Sequence, residues 1–464
     1  MHWPSIGKTF LFRAGARRSR LSRYTHPMKS ASHLRRKLAA FALSSVSLMM
    51  IGAARADSVA EQAFADAAHY TVRISVSTDY SFIESEKGGW TGAGFLVDRA
   101  RRWVLTNAHV AGYTDAKILV AFKGGPRVTA KAKFVDNFVD VAVLELPEGS
   151  IPSEAREARL ACAGTPAVGS DLGAFGHPLG YAFTATRGIM AGVSRSKEYP
   201  QLQTDAPISP GNSGGPLIDL STGVVVGINT ASAGERRAQN MNFAVIASEA
   251  CQVLDLLRAG KPATVPKLAT TFAYDEDDVE TLTVAVDPTS DDGFGLKAGD
   301  TVIGLTNDPR KFESAPDFLL ALRGRAGKTS IDIERAGKRT TIEANLTPSL
   351  QFVGRRGLLL SGAVFASRSL KEISNPDEAG TLIVHQVEPG STAELHEVRF
   401  GSFVVSVDGQ KIRTLSQLEK VARKAEAEHR ELRLVLRIVK DDESPPESYV
   451  LRDLPVDEIG WYPK

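Results

Sequence analysis

From residue 70 onward the chain is written in short apolar runs punctuated by glycine, proline and polar clusters. Tyr70, Val72, Ile74 and Val76 alternate with Thr71, Arg73 and Ser75, the two-residue period of a strand with one buried face. Further strands are predicted at 92–97, 103–106, 116–122, 128–135 and 141–146, and again at 171–175, 183–186, 188–193, 223–230 and 243–246. Helical spacing occurs at 58–69, through Val59, Ala63, Phe64 and Ala67, and at 247–258, through Cys251, Val253, Leu254 and Leu257. Many short strands without alternating helices predict antiparallel β-barrels.

Beyond a Gly/Pro-containing linker at 260–266, two stretches repeat one order of strand, turn, strand, helix and strand. Their helices fall at 315–323 and 416–427, and the repeat of about 90–100 residues is the size of a small domain. A chain of 464 residues matches this count of about three domains.

Charge sharpens the picture. The net charge is only +2, yet the first 56 residues hold eleven Lys/Arg and no Asp/Glu. The remainder is therefore about −9, which argues against a nucleic-acid partner. The basic start reads as a targeting leader, residues 1–56. Within it, Lys29 and Arg35–Lys37 precede an apolar run from Leu38 to Ala53, and Ala54-Arg55-Ala56 offers a signal-peptidase site, giving a signal peptide at 28–56. Export to the periplasm or the exterior is the leading expectation; an organelle transit peptide, or a membrane anchor at 38–54, are its alternatives. The two cysteines, Cys162 and Cys251, leave a disulfide and a pair of buried thiols equally open. No cluster has metal-ligand spacing.

The chemistry concentrates around Ser213, in Gly211-Asn212-Ser213-Gly214-Gly215-Pro216-Leu217. Glycines on both sides allow the backbone to turn its N–H groups toward one point, as an oxyanion requires. A Gly-rich turn alone would mean little. Upstream, however, His109 ends the apolar run Trp103–Thr106 after Asn107 and Ala108. Asp140 directly precedes another apolar run, Val141–Leu146, and Asp136 is the competing carboxylate, with a turn-capping role as its simpler reading. The other two histidines of this region, His69 and His177, read as structural or as solvent-facing loop residues. The order His, Asp, Ser is that of chymotrypsin-type hydrolases.

Thr106-Asn107-Ala108-His109-Val110, Asp140-Val141-Ala142-Val143-Leu144 and Gly211–Leu217 resemble the trypsin-like core of the HtrA/Deg family of exported, PDZ-bearing serine proteases. So do Gly92–Phe95, Gly176–Gly180 and Gly227–Thr230. The resemblance implies a mostly β fold: a chymotrypsin-like double β-barrel followed by two PDZ-like α+β domains. The expected divisions are 1–56 leader, 57–259 protease, 267–348 first PDZ-like domain and 351–456 second.

It also implies ATP-independent cleavage of unfolded polypeptides, with Ser213 as nucleophile, His109 as base and Asp140 as its orienting partner. The oxyanion would be received by N–H groups of Gly211, Asn212 and Ser213. No cofactor and no metal is implied. The expected partners are unfolded polypeptides, peptide C-termini and copies of the chain itself, in a homotrimer or larger assembly. The alternative function is a non-proteolytic chaperone or peptide-binding scaffold on an idle protease fold. Residues 79–90 leave little room for the long regulatory loop of some family members. Pro207 stands where trypsin-like enzymes place the acid that selects Lys or Arg. Pro207 and Ile208 with Asn229, Thr230 and Ala231 are thus expected to form a pocket for small aliphatic side chains. Gly357-Leu358-Leu359-Leu360 is the candidate for peptide capture by strand addition.

Overall fold

The computed structural model describes residues 59–78, 88–113, 116–177, 183–194, 199–230, 241–266, 270–275, 280–286, 294–349, 353, 356–367, 382–438 and 448–462. The leader, residues 79–87 and Ala231 lie outside the described residues.

Helix α1, residues 59–70, leads into the first of two closed barrels. Its strands are β1 (Thr71–Thr78), β2 (Gly88–Asp98), β3 (Trp103–Thr106), β4 (Lys117–Phe122), β5 (Val128–Asp136) and β6 (Val141–Glu145), closed in the order β1-β2-β3-β6-β5-β4. Helix α2 (Ala108–Ala111) follows β3. The second barrel has β7 (Asp171–Gly176), β8 (Thr184–Ser194), β9 (Gln201–Thr204), β10 (Pro216–Asp219), β11 (Val224–Thr230) and β12 (Asn242–Ile246), in the order β10-β11-β12-β9-β8-β7. Closure leaves no unpaired strand edge in either barrel. The alternation of β1 is borne out: Val72 and Ile74 are fully buried while Arg73 and Ser75 are half-exposed.

Two expected strands, 183–186 and 188–193, are one continuous β8. A register shift between Met190 and Gly192 accommodates its irregular pattern. Strands β9 and β10 were not expected, because each has four residues and sits beside the Gly/Pro-rich nucleophile loop.

Helix α3 (Ala247–Arg258) packs against β11 and β12 of the second barrel, and its Val253 and Leu254 join the apolar cluster to which both barrels contribute. Cys251 on α3 and Cys162 in the segment between the barrels form a disulfide, which decides the question that the sequence leaves open. Closing a loop of 89 residues stabilises the fold by roughly 4–5 kcal/mol in the chain-entropy description.

A five-stranded sheet follows: β13 (Thr271–Tyr274), β14 (Glu280–Val286), β15 (Thr301–Leu305), β16 (Gly327–Arg335) and β17 (Lys338–Leu346), with α4 (Ala315–Ala321) packed on it. Ser314 caps α4 by accepting the Asp317 N–H, and Pro316 suits the first turn. The last sheet has seven strands: β18 (Gly357–Leu360), β19 (Ala363–Ser367), β20 (Leu382–Val387), β21 (Phe403–Val407), β22 (Leu432–Ile438), β23 (Ser448–Leu454) and β24 (Ile459–Tyr462). Its helices are α5 (Thr392–Leu395) and α6 (Leu415–Ala427), the latter opened by a capping box of Thr414 and Gln417. The architecture is thus a chymotrypsin-like double barrel followed by two PDZ-like α+β units.

Candidate active site

Strand β3 delivers the chain into α2, and His109 stands in that short helix rather than at a strand end. Asp140 closes the β5–β6 turn at φ 56°, a left-handed conformation that a non-glycine residue keeps only where its surroundings impose it. Those surroundings are polar and specific. Asp140 Oδ2 lies 2.8 Å from His109 Nδ1, and its Oδ1 accepts the His109 backbone N–H at 3.0 Å. The Asn107 side-chain amide donates to the Asp140 carbonyl at 2.9 Å. One carboxylate therefore grips both ring and main chain of the same histidine, which fixes the imidazole's plane and places a proton on Nδ1.

Ser213 is nearly buried, and its loop is tied to two strands and to the residue that follows β7. The Ala93 N–H of β2 donates to the Ser213 carbonyl at 2.8 Å, the Gly214 N–H to the Asn229 carbonyl of β11 at 2.8 Å, and the His177 N–H to the Gly211 carbonyl at 3.1 Å. Gly214 has φ 84°, and a Cβ there would come within 2.1 Å of the Ala93 carbonyl, so only glycine fits. Gly92 shows how close the two halves of the site lie. A Cβ at Gly92 would stand 2.7 Å from Val110, the neighbour of His109, and 3.0 Å from the Ser213 carbonyl.

Other expectations need correction. The Asn212 N–H donates to the Ser209 carbonyl at 2.9 Å, so it is committed within its own turn and does not face an oxyanion. Asn229 is fully buried and its amide donates to the Pro216 carbonyl at 3.0 Å, which makes it a brace of the β10–β11 pair rather than a pocket wall. Thr230 is likewise no pocket wall: its hydroxyl donates to Asp140 Oδ2 at 3.2 Å, across the junction of the two barrels. That role was not anticipated; its only trace in the sequence is a hydroxyl at the end of the apolar run Val224–Ile228. Pro207 is exposed and its carbonyl accepts the Thr186 hydroxyl at 2.8 Å, while half-buried Ile208 packs on the second-barrel core.

Asp136, the rejected competitor, caps its turn by accepting the Phe138 N–H at 2.8 Å and pairs with Arg323. His177 is fully buried; burial holds its pKa down, from 6.5 to about 4, and its Nδ1 accepts the Phe183 N–H at 3.0 Å. It is a neutral packing residue. In the last sheet, Gly357–Leu360 forms β18, but β18 is paired on both sides, with β19 and with β24. Strand addition therefore has no open edge there.

A serine in a Gly-rich turn, a histidine gripped by a carboxylate, and two six-stranded barrels that bring them together define a trypsin-like serine peptidase. Residues 92–228 match the family model of the trypsin-like peptidase domain. The chain is 26% identical over 347 residues to the periplasmic serine endoprotease DegP of Salmonella typhimurium, covering 71% of each chain. It is 31% identical over 289 residues to the serine protease Do-like HtrB of Bacillus subtilis, covering 55% of this chain and 62% of the relative. Among solved structures, HtrA-type protease AlgW with decapeptide superposes with a TM-score of 0.50 at 23% identity, over 63% of this chain and 99% of that one, a likeness of fold. The chain is similar to proteases of the HtrA/Deg family over about 70% of its length and is a serine endopeptidase.

Proposed function

We propose that Ser213, His109 and Asp140 cleave unfolded exported polypeptides without ATP. The observation that carries this reading is the double grip of Asp140 on His109, because it leaves Nε2 as the basic nitrogen of the imidazole. In that role His109 takes the Ser213 proton as the hydroxyl attacks a peptide carbonyl, then returns it to the departing amine. Asp140 stays ionised and stabilises the imidazolium. The oxyanion is received by the N–H groups of Gly211 and Ser213, with Asn212 set aside for the reason above. Neither step calls on a metal or cofactor.

The disulfide supports work in an oxidising compartment, in keeping with an exported chain whose leader ends near residue 56. Substrate preference rests on Pro207 and Ile208. The nearest acid in sequence, Asp205, accepts the Ile189 N–H at 2.6 Å and is engaged away from any pocket floor role. Small aliphatic residues are therefore favoured at the scissile bond and basic ones are not. The divisions 57–259, 267–348 and 351–456 are part of the same reading, with the two PDZ-like units as regulators and peptide C-termini as their ligands. Assembly as a homotrimer or larger rests on the family likeness, and sedimentation of residues 57–464 tests it.

The function is tested by offering this protein, without ATP, the same substrate in native and in reduced, carboxymethylated form, and by sequencing the products. Cleavage of the unfolded form after Val, Ala or Ile is expected. Cleavage after Arg and Lys would refute the pocket reading, and binding without cleavage would favour an idle scaffold.

A further inference from the structure

The turn that carries Asp140 is also held from outside the protease barrels. It begins at Asp136, which is 4% exposed, and Asp136 accepts a hydrogen bond from Arg323 Nη1 in addition to the Phe138 N–H. Arg323 lies just beyond α4 of the five-stranded unit and is 3% exposed; the same Nη1 donates to the Ala263 carbonyl at 2.7 Å. Phe138, in the middle of the turn, packs against both the first-barrel core and the core of the five-stranded unit, while Leu320 of α4 joins the barrel core. Gly324 seals the contact: a Cβ there would stand 2.7 Å from Leu256 of α3, and its N–H reaches the Thr264 carbonyl at 3.1 Å. The other ionisable groups that act on the neighbouring buried carboxyl of Glu249 are Asp317 and Arg310.

Burying an arginine and a carboxylate costs several kcal/mol of desolvation per ion, and an apolar pair of similar volume often serves stability as well. Stability is thus a poor reason for this pair. Its geometric effect is specific. Arg323 fixes the first residue of a turn whose last residue orients His109, and Asn107 fixes the far end from within the barrel. Between these two anchors Asp140 holds its left-handed backbone.

We infer that Arg323 is a positioning residue of the protease, which sets the Asp140–His109 geometry by holding Asp136 and the turn behind it. The inference rests on the triad reading above.

The test replaces both partners, Asp136→Asn with Arg323→Met, so that no ion is stranded in the interior. The folded double variant is expected to lose at least tenfold in kcat on an unstructured peptide, with KM within twofold. The acid limb of its kcat/KM profile moves to lower pH, because His109 loses part of the carboxylate's support for its imidazolium. Arg323→Lys, which keeps the charge, recovers most of the turnover. Wild-type kcat and an unmoved acid limb in the folded double variant would overturn the inference. Asp136→Glu keeps the pair but lengthens it by one methylene, and is expected to lower kcat at least threefold in a folded protein. Wild-type kinetics there would overturn the inference even if the double variant did not fold. Asp140→Asn run alongside separates the two levels: if it retains full activity, the triad reading itself fails.

Discussion

Replacing Thr230 by valine removes one hydroxyl at nearly constant volume from the junction between the barrels. The hydroxyl donates to Asp140 Oδ2 at 3.2 Å, while the same oxygen meets His109 Nδ1 at 2.8 Å. A hydrogen bond to a charged group contributes about 1.5–3 kcal/mol, and the length of this one places it near the lower bound. At about 1.4 kcal/mol per tenfold in rate, Thr230→Val is expected to reduce kcat roughly tenfold. The loss should fall on kcat more than on KM, because Thr230 acts through Asp140 and not on the substrate. Thr230→Ser keeps the donor and is expected to stay within about threefold of wild type by the same scale. The assay is steady-state cleavage of a fluorogenic aliphatic peptide, with thermal unfolding as the control for folding. Wild-type kcat in Thr230→Val, or an equal loss in the serine variant, would refute the argument.

Three further outcomes follow from other parts of the molecule. Replacing Cys162 and Cys251 by alanine releases an 89-residue loop and is expected to cost roughly 4–5 kcal/mol, read from urea unfolding with and without reductant. His177 has its folded pKa pushed down to about 4 from 6.5. The unfolded chain therefore binds more protons between these values, and stability is full above pH 6.5 and falls as pH drops toward 4. The loss amounts to about 3 kcal/mol, and the apolar variant His177→Leu should flatten that part of the stability curve. Strand β24 covers the outer edge of β18, with Tyr462 opposite Gly357 and Ile459 opposite Leu360, and the Arg356 guanidinium lies 4.2 Å over the Trp461 ring. Deleting residues 459–464 is expected to bare that edge and raise the affinity for extended peptides at least tenfold by fluorescence polarisation; unchanged affinity would mean that β18 is not a capture edge.

Much of the site was legible because its motifs are local. His109, Asp140 and Ser213 each sit in a five- to seven-residue string with strong apolar or glycine neighbours, and their order along the chain suggested the barrel fold. Long alternating strands such as β1 were equally plain. What escaped was whatever depends on distant partners. The Arg323–Asp136 pair spans 187 residues, and no periodicity announces it. Thr230 looked like a pocket wall because a strand-end hydroxyl carries no sign of the carboxylate it will meet. Gly357–Leu360 reads as a capture strand until β24, itself only four residues long, is seen lying against it. The cysteine pairing was undecidable for the same reason, since contact between two residues far apart in the chain is a property of the closed barrels.

The central claim is that this protein hydrolyses peptide bonds through Ser213. The most direct measurement is digestion of unfolded casein by residues 57–464 beside the Ser213→Ala variant, followed by gel and mass analysis. Complete cleavage by the wild-type protein and none by the variant is expected. Equal digestion by both, or casein binding without cleavage by both, would contradict it.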